Sequence, residues 1–212
     1  MSKFFLLTII ISAGISSSAQ TRFNFFIGPQ AITTRYHAGN AKQSTSFKSG
    51  FQLGGGAKIE FEDRLYFAPA IYYSYKGYKV LLNKAASPPD PSAINNNTSI
   101  HTVETAFLFQ YDFSHQPSHL FFKIGPSVDF QIAGKEKFDR VDGSRISRPM
   151  KYSFTEYGRY AVAAVLHLGY ETSDKFIFYI HYAQGLTNLS NADVGPSIQY
   201  RVIGVSIGKY FK

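Results

Sequence analysis

One stretch of the sequence, GVSIG at residues 204–208, fits the G-x-S-x-G pattern of a serine nucleophile. That pattern works at a strained turn from a strand into a helix and needs a histidine later in the chain. Here it lies in an alternating apolar run near the C-terminus, and the last histidine, His181, precedes it. Small side chains facing a narrow interior explain these residues, so the motif predicts no catalysis.

Two of the six histidines, His167 and His181, fall inside alternating runs on the side that carries small and polar residues. On neighbouring strands they could meet, exchange protons or bind a metal. Hydrogen-bonded fillers of an interior would look the same. We therefore expect a non-enzymatic protein without cofactor or metal, and a lipid-modifying enzyme that uses these histidines is the alternative.

Charged and amide side chains occupy the same small-residue faces. Paired carboxylates could do acid–base chemistry, but none are close in sequence and each has a basic candidate neighbour. Because a narrow interior encloses little water, we expect these charges to pair and plug it. Glu104 is expected to pair with Lys123 or Lys76. The predicted interior polar network comprises Lys58, Glu60, Lys76, Glu104, Gln110, Lys123, Asp129, His167 and His181.

A basic segment, KEKFDRVDGSRISRPMK at residues 135–151, carries six basic residues against three acidic ones. Its basic residues are Lys135, Lys137, Arg140, Arg145, Arg148 and Lys151. As an outer loop it would meet lipopolysaccharide or another acidic ligand. A solvated loop of mixed charge is the alternative. The other basic residues are scattered, which excludes a nucleic-acid surface.

Strands must position these residues, because period-two alternation is nearly continuous and no helical period persists. Connections near residues 62–64, 114–119 and 172–174 are short, whereas those at 34–46, 82–98 and 135–150 are long and polar. This predicts an all-β, eight-stranded antiparallel up-and-down transmembrane barrel. The predicted strands span about residues 22–33, 47–61, 65–79, 99–113, 119–134, 151–171, 175–187 and 195–211.

The side chains on the two faces of each run decide which way the barrel faces. Bulky apolar residues lie on one face, and glycines, alanines and polar residues lie on the other. Since the interior of an eight-stranded barrel is narrow, the bulky face looks outward into lipid. Aromatic residues near both ends of the strands are typical of membrane–water interfaces. A soluble periplasmic barrel that binds a ligand inside is the remaining alternative.

The N-terminus indicates export. Lys3 precedes the apolar run 4–11 and the small residues that end at Ala19. We expect a signal peptide at residues 1–19 and a barrel domain at residues 20–212. The chain has no cysteine, so neither disulfides nor a lipid-modified cysteine can form.

Four segments are distinctive in their order along the chain: YFAPAIYYSYKGYKV at 66–80, HTVETAFLFQYDF at 101–113, LFFKIGPSVDFQIAGK at 120–135, and YAQGLTNLS at 182–190 followed by YRVIGVSIGKYF. Together they resemble the PorT-like outer-membrane β-barrel proteins of Bacteroidetes, which share the architecture of small OmpX/OmpA-type barrels. Ala106 stands where that family usually has proline. The resemblance implies an outer-membrane location, with roles in envelope integrity, surface binding or a secretion machine.

A phrase of an apolar residue, Gly or Ala, and Pro recurs inside three of the predicted strands. Proline cannot donate a ladder hydrogen bond. We therefore predict β-bulges at Pro29, Pro69 and Pro126. Lipid and lipopolysaccharide are the expected partners, together with an envelope or secretion protein.

Overall fold

The computed structural model describes residues 21–211, so the predicted signal peptide lies outside the described residues. No helix in this part of the chain is long and apolar enough to cross a membrane. The strands are β1 (Arg22–Ala38), β2 (Ala41–Lys42), β3 (Ser44–Ser46), β4 (Lys48–Glu62), β5 (Leu65–Leu81), β6 (Asn95–Asp112), β7 (His119–Asp139), β8 (Arg145–Pro149), β9 (Tyr160–Glu171), β10 (Phe176–Gly185) and β11 (Ser197–Phe211).

Eight long strands close into a barrel in the order β1-β4-β5-β6-β7-β9-β10-β11. Each pairs antiparallel with the next, and β11 closes on β1 from the pair Phe23–Phe211 to the pair His37–Ser197. Closure leaves no long strand with a free edge, which a wall in lipid requires. The eight-stranded antiparallel up-and-down barrel predicted from the sequence is confirmed.

Several predicted boundaries are wrong. β1 continues to Ala38 and β6 begins at Asn95, both inside predicted connections. The sixth barrel strand begins at Tyr160 rather than near residue 151, and the preceding segment folds over the barrel end. Residues 135–150 are no loop, because β7 continues to Asp139 and pairs with β8. The hairpin turns at Gly143, whose φ of 82° suits glycine.

The barrel is taller than a membrane is thick. β7 has 21 residues, about twice the 9–11 that a tilted strand needs to span a bilayer. Outward apolar side chains such as Ile71 and Ile124 are exposed. On the same surface, Phe51, Tyr73 and Tyr75 form an aromatic cluster nearer the long connections, which marks an interface with water. The remaining length projects beyond it as an outer extension.

The predicted bulges at the three prolines are wrong. Pro29, Pro69 and Pro126 keep their register, opposite Phe51, Phe107 and Ala164 respectively. The ladder with the other neighbouring strand omits the proline and continues beyond it in the same register. Because proline has no N–H, each of these residues loses its pairing with one neighbouring strand and keeps it with the other.

The glycine that precedes two of these prolines has a packing role. A Cβ at Gly28 would lie 2.0 Å from the carbonyl oxygen of Val205, and one at Gly125 would lie 2.1 Å from that of Phe107. The backbone of the neighbouring strand approaches too closely for any side chain there.

A bulge does occur higher in β7, where Ile132 is an extra residue between the pairs made with His101 and Thr102. Below Ile132, odd-numbered residues of β7 face the interior. Above it the buried residues are the even-numbered Glu136 and Phe138. The extra residue therefore exchanges the two faces of the strand.

Candidate functional site

The middle of the interior contains a three-residue charge cluster. The Lys76 Nζ lies 2.6 Å from Glu104 Oε1 and 2.6 Å from Asp129 Oδ2. Thr102 donates a longer hydrogen bond of 3.3 Å to Glu104. All three charged side chains are almost fully buried, so each depends on the others in place of water.

A second cluster closes the interior at the end with the short turns. Lys58 Nζ lies 2.5 Å from Asp112 Oδ2 and 3.2 Å from Glu171 Oε2. Arg22 pairs with the other oxygen of Glu171. His119 Nε2 lies 3.1 Å from Asp112 Oδ2. Two carboxylates thus face a lysine, an arginine and a histidine ring.

Three other polar residues predicted for the interior have three different environments. Gln110 donates to Asp112 Oδ1 at 2.6 Å. Lys123 is buried with its ammonium 5.1 Å from the ring centre of Phe121, and within residues 21–211 it forms no salt bridge. Glu60 is exposed near the end of β4 rather than enclosed, because β4 there extends past the last pair with β1 and pairs with β5 alone.

The two interior histidines lie directly opposite each other on β9 and β10. The ring of His167 stacks on Tyr179 at 4.7 Å and meets His181 edge-on at 5.9 Å between centroids. Gln52 Nε2 lies 3.4 Å from His181 Nδ1. No described carboxylate hydrogen-bonds either ring, so neither ring is oriented as a general base in a catalytic dyad would be.

The interior around these clusters is filled. Three cavities there have volumes of about 20, 10 and 10 Å³. A cavity needs roughly 10–15 Å³ to hold a single water molecule. Each of these cavities among the described residues is therefore large enough for about one water molecule. No group of three His, Cys, Asp or Glu residues within 21–211 suits a metal ion.

Apolar side chains seal the outer end. Residues of the barrel wall and of the segments 82–94 and 150–159 pack together there, away from water. The buried members include Ile32, Tyr36, Tyr78, Val80, Leu82, Ala86, Ile100, Phe138, Met150, Tyr157, Leu189, Ile198 and Tyr200. This cluster, the outer cap, lies above the charged middle of the interior.

Hydrogen bonds hold the segment 82–94 onto the cap. Arg148 Nη2 donates to the carbonyl oxygen of Pro89 at 2.5 Å, and its Nε donates to Glu136 Oε1 at 2.6 Å. Tyr157 donates to the other oxygen of Glu136 at 2.9 Å. Burial raises the pKa of Glu136, against the opposing effect of Arg148 and Tyr157.

Asp90 provides a second attachment of this segment. Its carboxylate accepts a hydrogen bond of 2.6 Å from the Ser92 hydroxyl and one of 2.8 Å from Arg140 Nη2. These contacts, the Ser92 hydroxyl foremost, lower the pKa of Asp90 to about 2. The carboxylate is therefore charged throughout the physiological range.

The predicted basic patch is divided by the structure. Three of its members are paired, since Arg140 binds Asp90, Arg145 binds Asp139 and Arg148 binds Glu136. The lysines of the segment, Lys135, Lys137 and Lys151, are exposed and form no ion pair with any described residue.

Lys137 lies close to two further lysines, Lys48 and Lys79, which were not among the predicted site residues. Asn97 on β6 lies directly between Lys79 on β5 and Lys137 on β7. Lys48 Nζ reaches the same place, 2.8 Å from Asn97 Oδ1. These three lysines form what we call the lysine cluster. Lys135, two residues before Lys137, borders it.

The chain matches the outer membrane protein beta-barrel domain over residues 16–191. The chain belongs to this family. It is an outer-membrane β-barrel protein. No match exists among curated proteins.

Solved structures of outer-membrane barrels are similar over nearly the whole chain. Ail of Yersinia pestis is 13% identical, with a TM-score of 0.47, covering 90% of this chain and 98% of Ail. OprG of Pseudomonas aeruginosa is 13% identical, with a TM-score of 0.44, covering 91% and 97%. Neisserial surface protein A is 11% identical, with a TM-score of 0.43, covering 88% and 97%. Nothing about function follows from similarity at this level.

Within this outer-membrane barrel, the site residues that the sequence did not predict were missed for one reason. Lys48 and Lys79 lie outside the basic segment, and only the pairing of strands brings them to Lys137. Likewise Asp112, His119 and Glu171 stand at three strand ends, which the turn between β6 and β7 and the pairing of His119 with Glu171 bring together. Sequence alternation assigns a face to each residue but does not fix which strand heights coincide.

Proposed function

We propose that this protein is a non-enzymatic outer-membrane barrel that acts through its outer surface, in envelope integrity or in binding a partner. The observation that carries the proposal is the filled interior, with cavities of at most about 20 Å³ beneath an apolar cap. Solutes have no path through such a barrel, and the surface left for recognition is the outer extension and its connections.

The buried state of His167 and His181 argues against a lipid-modifying enzyme. Both side chains are enclosed in the wall and in contact with Tyr179. A lipid substrate would have to enter a space too small for more than one water molecule. A soluble ligand-binding barrel is disfavoured for the same reason, since it would need an internal pocket.

We also propose that residues 1–19 direct export and are removed, leaving a barrel domain of residues 20–212, because the charged start, short apolar run and small residues fit a signal peptide. The segments that resemble PorT-like proteins of Bacteroidetes support a protein of the secretion machinery as the partner. That link is a proposal about the partner and leaves the closed barrel unchanged.

Conductance across a planar bilayer tests the closed barrel. The refolded protein, with folding verified by its shifted gel mobility before boiling, should add no current steps above the bare bilayer in concentrated KCl. Steady ion-selective steps would contradict the proposal. Mass spectra of lipid A from cells with and without the protein test the enzymatic alternative, and we expect them to be identical.

A further inference from the structure

The outer extension carries an open groove of about 580 Å³ on its outward wall. Strand β3 pairs with β5, and β5, β6, β7 and β8 follow in order, so five strands form its floor. The lining residues that matter here are Lys79, Asn95, Asn97, Lys137, Asp139 and Arg145.

The Lys48 side chain crosses Gly77 and reaches the edge of the groove at Asn97. A Cβ at Gly77 would lie 2.9 Å from Lys48 Cδ and 2.2 Å from the carbonyl oxygen of Thr98. The ammonium donates to Asn97 Oδ1 at 2.8 Å, to the Thr98 carbonyl oxygen at 2.8 Å and to Ser99 Oγ at 2.6 Å. Its three protons are thus all engaged, so Lys48 contributes a fixed positive charge.

Lys79 and Lys137 are both exposed. Each is the ladder partner of Asn97 on one of the two strands that neighbour β6. With neighbouring strands about 4.8 Å apart, their Cα atoms are about 10 Å apart. Neither forms an ion pair within the described chain, so both ammonium groups are available to a single anion between them.

Like charges dominate the groove. Burial, together with the positive charges of Lys79 and Lys137, lowers the pKa of Lys48 to about 8. The one carboxylate that lines the groove, Asp139, is engaged by Arg145 at 2.7 Å and by Asn95 at 2.9 Å. The lysine cluster therefore has positive charge that the described residues do not balance.

The height of the cluster indicates which anions are near. Lys79 lies four residues beyond Tyr75 on β5, about 13 Å along the strand. At the usual tilt this places it about 10 Å outside the aromatic cluster of Phe51, Tyr73 and Tyr75. The groove therefore opens sideways on the headgroup side of the lipid-facing surface, and the segments 82–94 and 150–159 do not line it.

We propose that this groove binds a phosphate group of a glycolipid in the outer leaflet, with Lys79 and Lys137 as its donors and Lys48 as a fixed charge. The proposal rests on the proposed function and names a partner for it. A lipid standing beside the wall presents its headgroup at this height, whereas a soluble acidic protein would approach from above. Ammonium groups bind phosphate as point charges.

Native mass spectrometry of the detergent-purified barrel tests the site with diphosphorylated lipid A as the probe. We expect Lys79→Gln/Lys137→Gln to weaken binding at least tenfold, and the wild-type affinity to fall as salt is raised. Lys84→Gln/Lys151→Gln removes the same charge from exposed outer residues outside the groove and should bind like wild type. Folding of each variant is checked by its gel mobility before boiling.

Three outcomes would overturn the site. Equal binding by the groove variant and the control variant would exclude these lysines. Equal binding of dephosphorylated lipid A, or an equal affinity for inorganic phosphate alone, would exclude a glycolipid phosphate as the ligand. Conductance measured on the same samples keeps the two proposals apart, since a closed barrel that fails to bind lipid A refutes only the site.

Discussion

Glu104 and Asp129 lie directly opposite each other on β6 and β7, inside the barrel wall. Two buried carboxylates in adjacent strands repel each other. The arrangement is stable because Lys76 on β5 lies within 2.6 Å of both. One ammonium thus links side chains from three strands.

Replacing that ammonium should therefore be costly. We expect Lys76→Met to lower the free energy of unfolding by about 3–5 kcal/mol at pH 7, because it leaves uncompensated charge in the interior. Urea titration in lipid vesicles, read by gel mobility before boiling, measures the loss. Lys76→Met/Glu104→Gln/Asp129→Asn should recover much of it, and a triple variant no more stable than the single one would contradict the charge argument.

The attachment of the segment 82–94 should depend on pH through Asp90. Its folded pKa, about 2, lies below the ordinary value of 3.8, so the detached segment binds more protons between these values. Attachment is therefore fully stabilised above about pH 4 and weakens as pH falls toward 2. Hydrogen exchange of the Ala93 and Val141 amides, which bond to Asp90 and Ser92 carbonyls, reports the opening.

Asp90→Asn is the control for this titration. It should expose both amides to faster exchange at pH 7 and remove the acid transition. Glu136 takes up its proton at higher pH, because burial raises its pKa, so the two events are separable. An acid transition that persists in Asp90→Asn would assign the pH dependence to another group.

Gly125 should not tolerate a side chain. Gly125→Ala places a Cβ 2.1 Å from the Phe107 carbonyl oxygen, and we expect a loss of about 1–3 kcal/mol from overpacking and a disturbed ladder. Gly55→Ala is a matched control in another strand, since its Cβ would meet only Asn24 O at 3.1 Å. Equal stability of the two variants, measured by urea titration, would show that the close approach is unimportant.

Residue alternation was sufficient to predict the barrel and its strand number, because a narrow interior separates small from bulky side chains over most of the wall. It could not predict the outer extension. The segment from Lys135 to Asp139 has the composition of a loop, and it forms a strand because β6 and β8 offer partners on both sides. Pairing of this kind depends on distant residues, which local composition does not record.

The candidate sites were predicted less completely for a related reason. Alternation placed Lys76, Glu104 and Asp129 on one face, but it did not indicate that Asp129 would join Glu104 at the same lysine. Lys48 reaches Asn97 only by crossing a glycine on an intervening strand, and no periodicity indicates such a crossing. The proline phrase was misread because a missing donor does not require an inserted residue.

The extra residue Ile132 has a consequence for how this protein can vary. It sets the two halves of β7 in opposite phase, so that Asp129 below it faces the interior while Lys137 above it faces the outside. One further insertion or deletion between them would send Lys137 inward and Glu136 outward, without changing any residue of the membrane wall. The single extra residue thus determines which outer side chains of β7 face solvent and which pack into the cap.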